Sequence, residues 1–188
     1  MLCPMNIQSP PLLTADDFLR WNEGREGKRE FVDGRVVEMM IGVSDSHWRL
    51  ASRLARMIGN ALDDNFYDVG NADLAVHTPN GIRYPDLLVK AVGGDGKALA
   101  TAAPLLVAEI LSPSSYASDF GPKASEYTAI PSLLHYLVLS QDEPRAWLWS
   151  RTDGLFGGPE MHVGADAVLP LTGFDLTLAL AEIYRGIA

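Results

Sequence analysis

Two acids in apolar surroundings are the residues of this chain best placed to do chemistry. Glu109 lies within Leu105-Leu106-Val107-Ala108-Glu109-Ile110-Leu111, and Asp86 within Arg83-Tyr84-Pro85-Asp86-Leu87-Leu88-Val89. Runs this apolar read as buried strands, the first closed by Ser112-Pro113. An ionised acid there costs several kcal/mol unless a cation or hydrogen-bond donors meet it. One hard divalent cation shared by both acids would answer that cost. Mg²⁺, or Mn²⁺ in its place, suits one or two protein carboxylates, with waters and a phosphate oxygen completing the shell. The carbonyl of Ile110, beside Glu109, could supply a further oxygen. Lys123, near the start of the following helix, could approach the carboxylates, orient a water and stabilise a pentacoordinate phosphate. Tyr127 falls one turn later on the same face. Asp119 precedes that helix and suits its N-terminal end.

Each of these residues also has an ordinary structural reading. Glu109 could be protonated or paired with an arginine. Asp86 alone reads as an aspartate opening a strand, and Lys123 alone as a solvated helix lysine. Their joint occurrence favours the metal. His47 sits on the inward stripe of a helix, either as a satisfied core residue or in contact with a metal-bound water or phosphate. The dipole at that helix N-terminus favours a neutral imidazole. Glu38 either reaches the site as an outer acid or faces solvent. His77, His135 and His162 show no ligand spacing, and Trp147 and Trp149 alternate as strand residues do, so these read as structural.

The elements that must position the acids are legible in outline. Thr14 caps a helix that leads into Phe18-Leu19-Arg20-Trp21. Glu30 to Met39 reads as a hairpin about Asp33-Gly34. Ser46 to Leu62 is the clearest helix, with Ala51, Leu54, Ala55, Ile58 and Leu62 inward and Ser44 or Asp45 as cap. Residues 73–78 and 82–89 read as strands joined through Pro79-Asn80-Gly81, and residues 91–103 as a loop. After the Glu109 strand, a short helix spans Gly121 to Ile130, with Pro122 tolerated in its first turn. Leu134 to Leu139 is a further strand, and Arg145 to Ile183 alternates strand-like pieces with turns. Strand, helix, strand about Glu109 implies a parallel crossover in an otherwise antiparallel sheet: a mixed α/β sheet flanked by helices. Residues 1–12 read as a disordered tail and 13–188 as one domain.

Composition bounds the rest. The single cysteine, Cys3, allows no internal disulfide, which fits a cytoplasmic protein. The start Met1-Leu2-Cys3 reads as lacking an export signal, and no apolar stretch approaches spanning length, so no membrane partner is expected. A formal net charge of −9 argues against non-specific coating of nucleic acid. Arg20, Arg25, Lys28, Arg29, Arg35, Arg49, Arg53 and Arg56 nevertheless concentrate in the first third. The apolar segment Leu176 to Ile183 either closes the core or forms a homodimer interface.

Tyr84-Pro85-Asp86, Ala108-Glu109-Ile110-Leu111-Ser112-Pro113-Ser114, Asp119 with Lys123 and Tyr127, and Ile130-Pro131-Ser132-Leu133 before Tyr136-Leu137 occur in a telling order. With Glu30 to Glu38 and His47, they resemble the bacterial Uma2 family within the PD-(D/E)XK nuclease superfamily. The resemblance runs from about residue 14 onward. It implies a restriction-endonuclease-like core with an N-terminal hairpin and added C-terminal strands. It also implies Mg²⁺- or Mn²⁺-dependent hydrolysis of DNA, with Asp86, Glu109 and Lys123 catalytic. Leu111 stands where the superfamily places its lysine, two residues after the acid; in this family the lysine comes from the following helix, here Lys123. The alternative is a degenerate nuclease fold that binds nucleic acid or protein without cleaving.

Overall fold

In the computed structural model, which describes residues 14–39, 42–71, 73–112 and 115–187, the chain opens on helix α1 (Ala15–Asn22). The expected tail with Cys3, and Pro113-Ser114, lie outside the described residues. Thr14 Oγ1 accepts the Asp17 N–H at 3.1 Å and so caps α1, which buries Phe18 and Leu19. Strands β1 (Arg29–Val32) and β2 (Arg35–Glu38) form the expected hairpin. Asp33 and Gly34 both take positive φ, 49° and 77°, as a tight two-residue turn requires. Helix α2 (Asp45–Ala61) is capped by Ser44, whose Oγ accepts the His47 N–H at 3.1 Å. Its buried residues are His47, Leu50, Leu54 and Ile58, one stripe at helical spacing.

The strands that follow are β3 (Tyr67–Gly70), β4 (Ala75–Thr78), β5 (Gly81–Arg83) and β6 (Leu87–Ala91). The single strand expected over residues 82–89 is thus two strands in different sheets. Pro85 has no N–H to give a ladder, so the pairing breaks at Tyr84-Pro85-Asp86 and the chain crosses between sheets there. The stretch read as a loop holds a two-residue strand, β7 (Ala100–Thr101), which pairs in parallel with β4. Next come β8 (Pro104–Leu111), α3 (Tyr116–Phe120), α4 (Pro122–Thr128) and β9 (His135–Ser140). The C-terminal strands are β10 (Arg145–Thr152), β11 (Leu155–Phe156), β12 (Glu160–Val163), β13 (Val168–Leu171) and β14 (Leu176–Ala179), closed by α5 (Leu180–Ile183).

The main sheet runs β11-β10-β9-β8-β6-β3, with β12 also on β10; a smaller sheet runs β2-β1-β5-β4-β7. Central β8 pairs antiparallel with β6 and parallel with β9, and α3 and α4 make the crossover. Alternation sorts β8 between two layers. Leu106, Ala108 and Ile110 face α2 and the C-terminal segment. Val107 faces Ala124 and Tyr127 of α4, and Glu109, two residues on, follows it. Leu178, Leu180 and Ile183 are buried against the α2 layer, so Leu176 to Ile183 closes the core. Among the described residues no helix is long and apolar enough to cross a membrane.

Two positions test this architecture. Gly81 takes φ +151°, and a Cβ there would sit 1.9 Å from the Phe31 carbonyl oxygen. Gly81→Ala therefore strains β5 and drives it off β1, at a cost on the order of 3 kcal/mol read by urea denaturation. His135 is buried, its Nε2 accepting the Gly173 N–H at 3.1 Å and its Nδ1 lying 3.0 Å from Ser150 Oγ. Burial pushes its pKa down to about 4. Between about pH 6.5 and 4 the unfolded chain therefore takes up a proton that the folded chain refuses, and stability falls with pH over that window. A His135→Asn chain, which can still accept from Gly173, loses less stability over the same window in parallel denaturation curves.

Candidate active site

Strand register brings the two sequence-distant acids together. Leu87 pairs with Ala108, and continuing that register one step past β6 sets Asp86 across from Glu109. Asp86 Oδ2 accepts the Ile110 N–H at 2.7 Å, and Oδ1 lies 3.1 Å from His47 Nε2. His47 enters from the first turn of α2, so it positions Asp86 rather than filling the core passively. Glu109 is 4 % exposed. Its Oε1 accepts from Lys123 Nζ at 3.0 Å and from the Tyr127 hydroxyl at 3.1 Å, while Oε2 takes no hydrogen bond among the described residues.

Lys123 is equally buried, at 3 % exposure, and its Nζ also lies 3.1 Å from Asp119 Oδ1. Asp119 departs from the expectation that it serves the N-terminus of α4. It belongs to α3, a helix unread in the sequence, and Gly121, with no side-chain bond, stands at the cap of α4. A Cβ on Gly121 would lie 2.7 Å from the Ala117 carbonyl oxygen, so only glycine lets α4 follow α3 this closely. That close junction is what brings Asp119 and Lys123 together. Ser118 Oγ donates to the same Asp119 oxygen at 3.2 Å.

The electrostatics follow from burial. Desolvation pushes the Glu109 carboxyl up to about 8, against the opposing pull of the Lys123 ammonium. Desolvation works to lower Lys123, but Glu109 and Asp119 outweigh it and hold it well above the ordinary lysine range. Tyr127 is held well above the usual phenol range by burial and by Glu109, so it stays a donor. Lys123 is therefore a fixed positive charge and hydrogen-bond donor, neither an acid nor a base near neutral pH.

A second ion cluster was not legible in the sequence. Arg83 donates Nε and Nη2 to Glu126 at 2.8 and 2.6 Å, and Nη1 to Glu30 at 2.7 Å. Arg83, Glu30 and Glu126 are all buried, and Thr78 Oγ1 adds a 3.0 Å bond to Glu126. Glu30, not Glu38, is the acid of the hairpin that reaches inward: the Glu38 side chain is 75 % exposed, 3.7 Å from Arg29. An arginine two residues before Pro-Asp, on a strand otherwise apolar, is the signal that could have found this cluster.

Asp86, Glu109, Ile110, Lys123, His47, Glu30 and Arg83 line one cleft of about 1210 Å³. Asp119 and Tyr127 lie behind it as partners of Lys123 and Glu109, and Glu38 lines its mouth. His77, His135 and His162 are absent from the lining. Among the described residues no group of three or more His, Cys, Asp or Glu is arranged to hold a metal. Of the acids lining the cleft, Asp86 and Glu109 are the pair set across from each other, just before β6 and on β8, whereas Glu30 is held by Arg83.

A family model described as "Putative restriction endonuclease", Uma2, matches residues 15–181. The chain belongs to the Uma2 family. A relative from Synechocystis sp., the uncharacterized protein slr1290, is 33% identical over 183 residues, covering 95% of this chain and 94% of its own. A second Synechocystis protein, the uncharacterized sll1609, is 30% identical over 142 residues, covering 73% and 80%. A crystal structure from Anabaena variabilis, described as a "putative nuclease belonging to DUF820", superposes with a TM-score of 0.76 at 17% identity. It covers 94% of this chain and 99% of its own. The fold is therefore restriction-endonuclease-like, as the order of motifs implies.

The Arg83 cluster carries its own test. Arg83→Met leaves Glu30 and Glu126 buried without a cation and destabilises the protein by about 3–5 kcal/mol in urea denaturation. Adding Glu126→Gln recovers part of that loss, because one of the stranded charges is gone.

Proposed function

We propose that this Uma2 member is a divalent-metal-dependent endonuclease that hydrolyses phosphodiester bonds in DNA. The observation that carries the reading is the Lys123 ammonium 3.0 Å from a buried carboxylate that shares its cleft with Asp86. The donor set fits Mg²⁺ or Mn²⁺. Two carboxylates, one with an oxygen free of hydrogen bonds among the described residues, suit a cation that keeps waters and takes few protein ligands. A bound cation would supply Lewis-acid polarisation of the phosphoryl oxygens and neutralise developing charge. Asp86 and Glu109 would hold it, with the Ile110 carbonyl as a further candidate.

The chain's own groups divide the remaining work. Lys123 presents fixed positive charge toward the pentacoordinate phosphate and can orient the attacking water. Asp119 and Tyr127 keep Lys123 and Glu109 in place, and the Ile110 N–H, with His47 Nε2 3.1 Å away, keeps Asp86 directed. Such buried, mutually bonded groups need no reorganisation when charge develops.

A second reading is a non-cleaving binding module on the same fold. One observation favours it: Lys123 already neutralises Glu109 without a metal. Cleavage assays separate the two. Asp86→Ala and Glu109→Gln each lower Mn²⁺-dependent cleavage of DNA by at least about 10³-fold. Lys123→Met lowers it comparably, and the circular dichroism spectrum stays native in all three. Mn²⁺ titration calorimetry loses its heat in the two acid variants but keeps it in Lys123→Met. Wild-type protein that binds DNA without cleaving it in Mn²⁺ would establish the binding module instead.

A further inference from the structure

The cleft is larger than its chemistry requires. At about 1210 Å³ it exceeds the roughly 300–1,000 Å³ that encloses a small ligand. The acids and Lys123 occupy only part of its wall. The remainder divides into two margins of different character. One is the segment from the end of α1 to Arg29 at the start of β1, which brings Arg25, Lys28 and Arg29 to the lining, with Glu23 as its one acid there. The other is formed by Val37 of β2 with Met39 and Val43, and there Glu38 turns toward Arg29.

Two cations of the basic margin, Arg25 and Lys28, are exposed, and Arg29 is buried. The Arg25 guanidinium lies 4.6 Å over the Trp21 ring, and its Nε donates to the Trp21 carbonyl at 2.5 Å, which fixes it at the rim. Lys28 is exposed and makes no ion pair among the described residues. Arg29 is partly spent on Glu38 and Asn22. In a chain of net charge −9, cations held at the mouth of a cleft whose floor is acidic are complementary to a polyanion that enters it.

The apolar margin identifies the state of that polyanion. Val37 and Val43 are exposed, at 41 % and 55 %, so they are not consumed by the core. A duplex turns phosphates and sugar outward and keeps its base faces stacked, so bare valine and methionine side chains gain nothing against it. An unpaired strand offers phosphates on one side and apolar base faces on the other, which matches a basic and an apolar wall. We infer that the site takes an unpaired DNA strand, its phosphates along Arg25 and Lys28 and its bases against Val37, Met39 and Val43. This inference rests on the nuclease reading of the same cleft.

Fluorescence anisotropy in EDTA with a labelled 12-nucleotide strand, its duplex and the matching RNA strand tests it on the full chain. The single DNA strand binds at least 10-fold tighter than the duplex. Lys28→Ala lowers the slope of log affinity against log salt by about 0.7, one phosphate contact on a single strand. Val43→Asp weakens strand binding at least fivefold with an unchanged melting temperature. Duplex binding as tight as strand binding, or an unaffected Val43→Asp, overturns the inference. Tighter binding of the RNA strand supports the unpaired state and overturns the choice of DNA. Cleavage assays in Mn²⁺ keep the two readings apart. A duplex cut as fast as a single strand overturns the inference and leaves the hydrolase standing. Strand-selective binding with no cleavage does the reverse.

Discussion

One ammonium group governs the centre of this fold. Lys123 Nζ donates to Glu109 at 3.0 Å and pairs with Asp119 at 3.1 Å, and all three side chains are buried. Two carboxylates and one ammonium cannot leave water singly, because each would carry a desolvation cost of several kcal/mol with nothing to offset it. They leave together, and that demand fixes the geometry. Lys123 can reach Glu109 only if α4 lies on the Val107 face of β8, and Asp119 only if α3 turns directly into α4. Gly121 permits the turn, and the parallel β8–β9 crossover puts α4 on that face.

The set also explains why a helix of seven residues is stable where it lies. α4 buries Lys123, Ala124, Glu126 and Tyr127, so much of its inward surface is polar. Isolated helices this short are marginal in water. Its anchors are charge-assisted: Lys123 and Tyr127 to β8, and Glu126 to Arg83 on β5. Since β5 belongs to the smaller sheet and β8 to the main one, α4 ties the two sheets together. Through Glu30, Arg83 extends the same tie to the hairpin whose approach forms a wall of the cleft. The pairs about Arg83 and the pairs about Lys123 are thus one connected network, with Lys123 and Glu126 three residues apart on one helix.

How far this could be read from the chain follows from where each signal lives. Glu109 was legible because its neighbours are apolar for several residues on both sides, and a lone acid there contradicts local composition. The stripe of α2, with His47 in its first turn, was legible because helical periodicity is local. The break at Tyr84-Pro85-Asp86 was missed because apolar content outweighed the missing N–H of Pro85. Helix α3 was missed because five residues carry too little periodicity to stand out. Glu30, Arg83 and Glu126 were illegible for a different reason. Their pairing spans 53 and 43 residues of chain, and no local pattern marks an arginine as destined for two acids so far away. Of the hairpin acids the sequence singles out Glu38, whereas Glu30 on β1 is the one that folding buries.

That network also changes how the net charge of −9 should be weighed. Glu30, Glu109, Asp119 and Glu126 are buried beside Arg83 and Lys123, so much of their field is cancelled within a few ångströms. A polyanion approaching the cleft meets the rim first, where Arg25 and Lys28 are exposed. At physiological salt the screening length is about 8 Å, so acids on distant faces contribute little to that encounter. Inside the cleft, however, Asp86 has no lysine or arginine beside it among the described residues and repels a phosphate unless a cation stands between them. On the proposed reading the two would act in sequence: the rim would attract the strand, and a metal held at the floor would let its phosphate approach the acids.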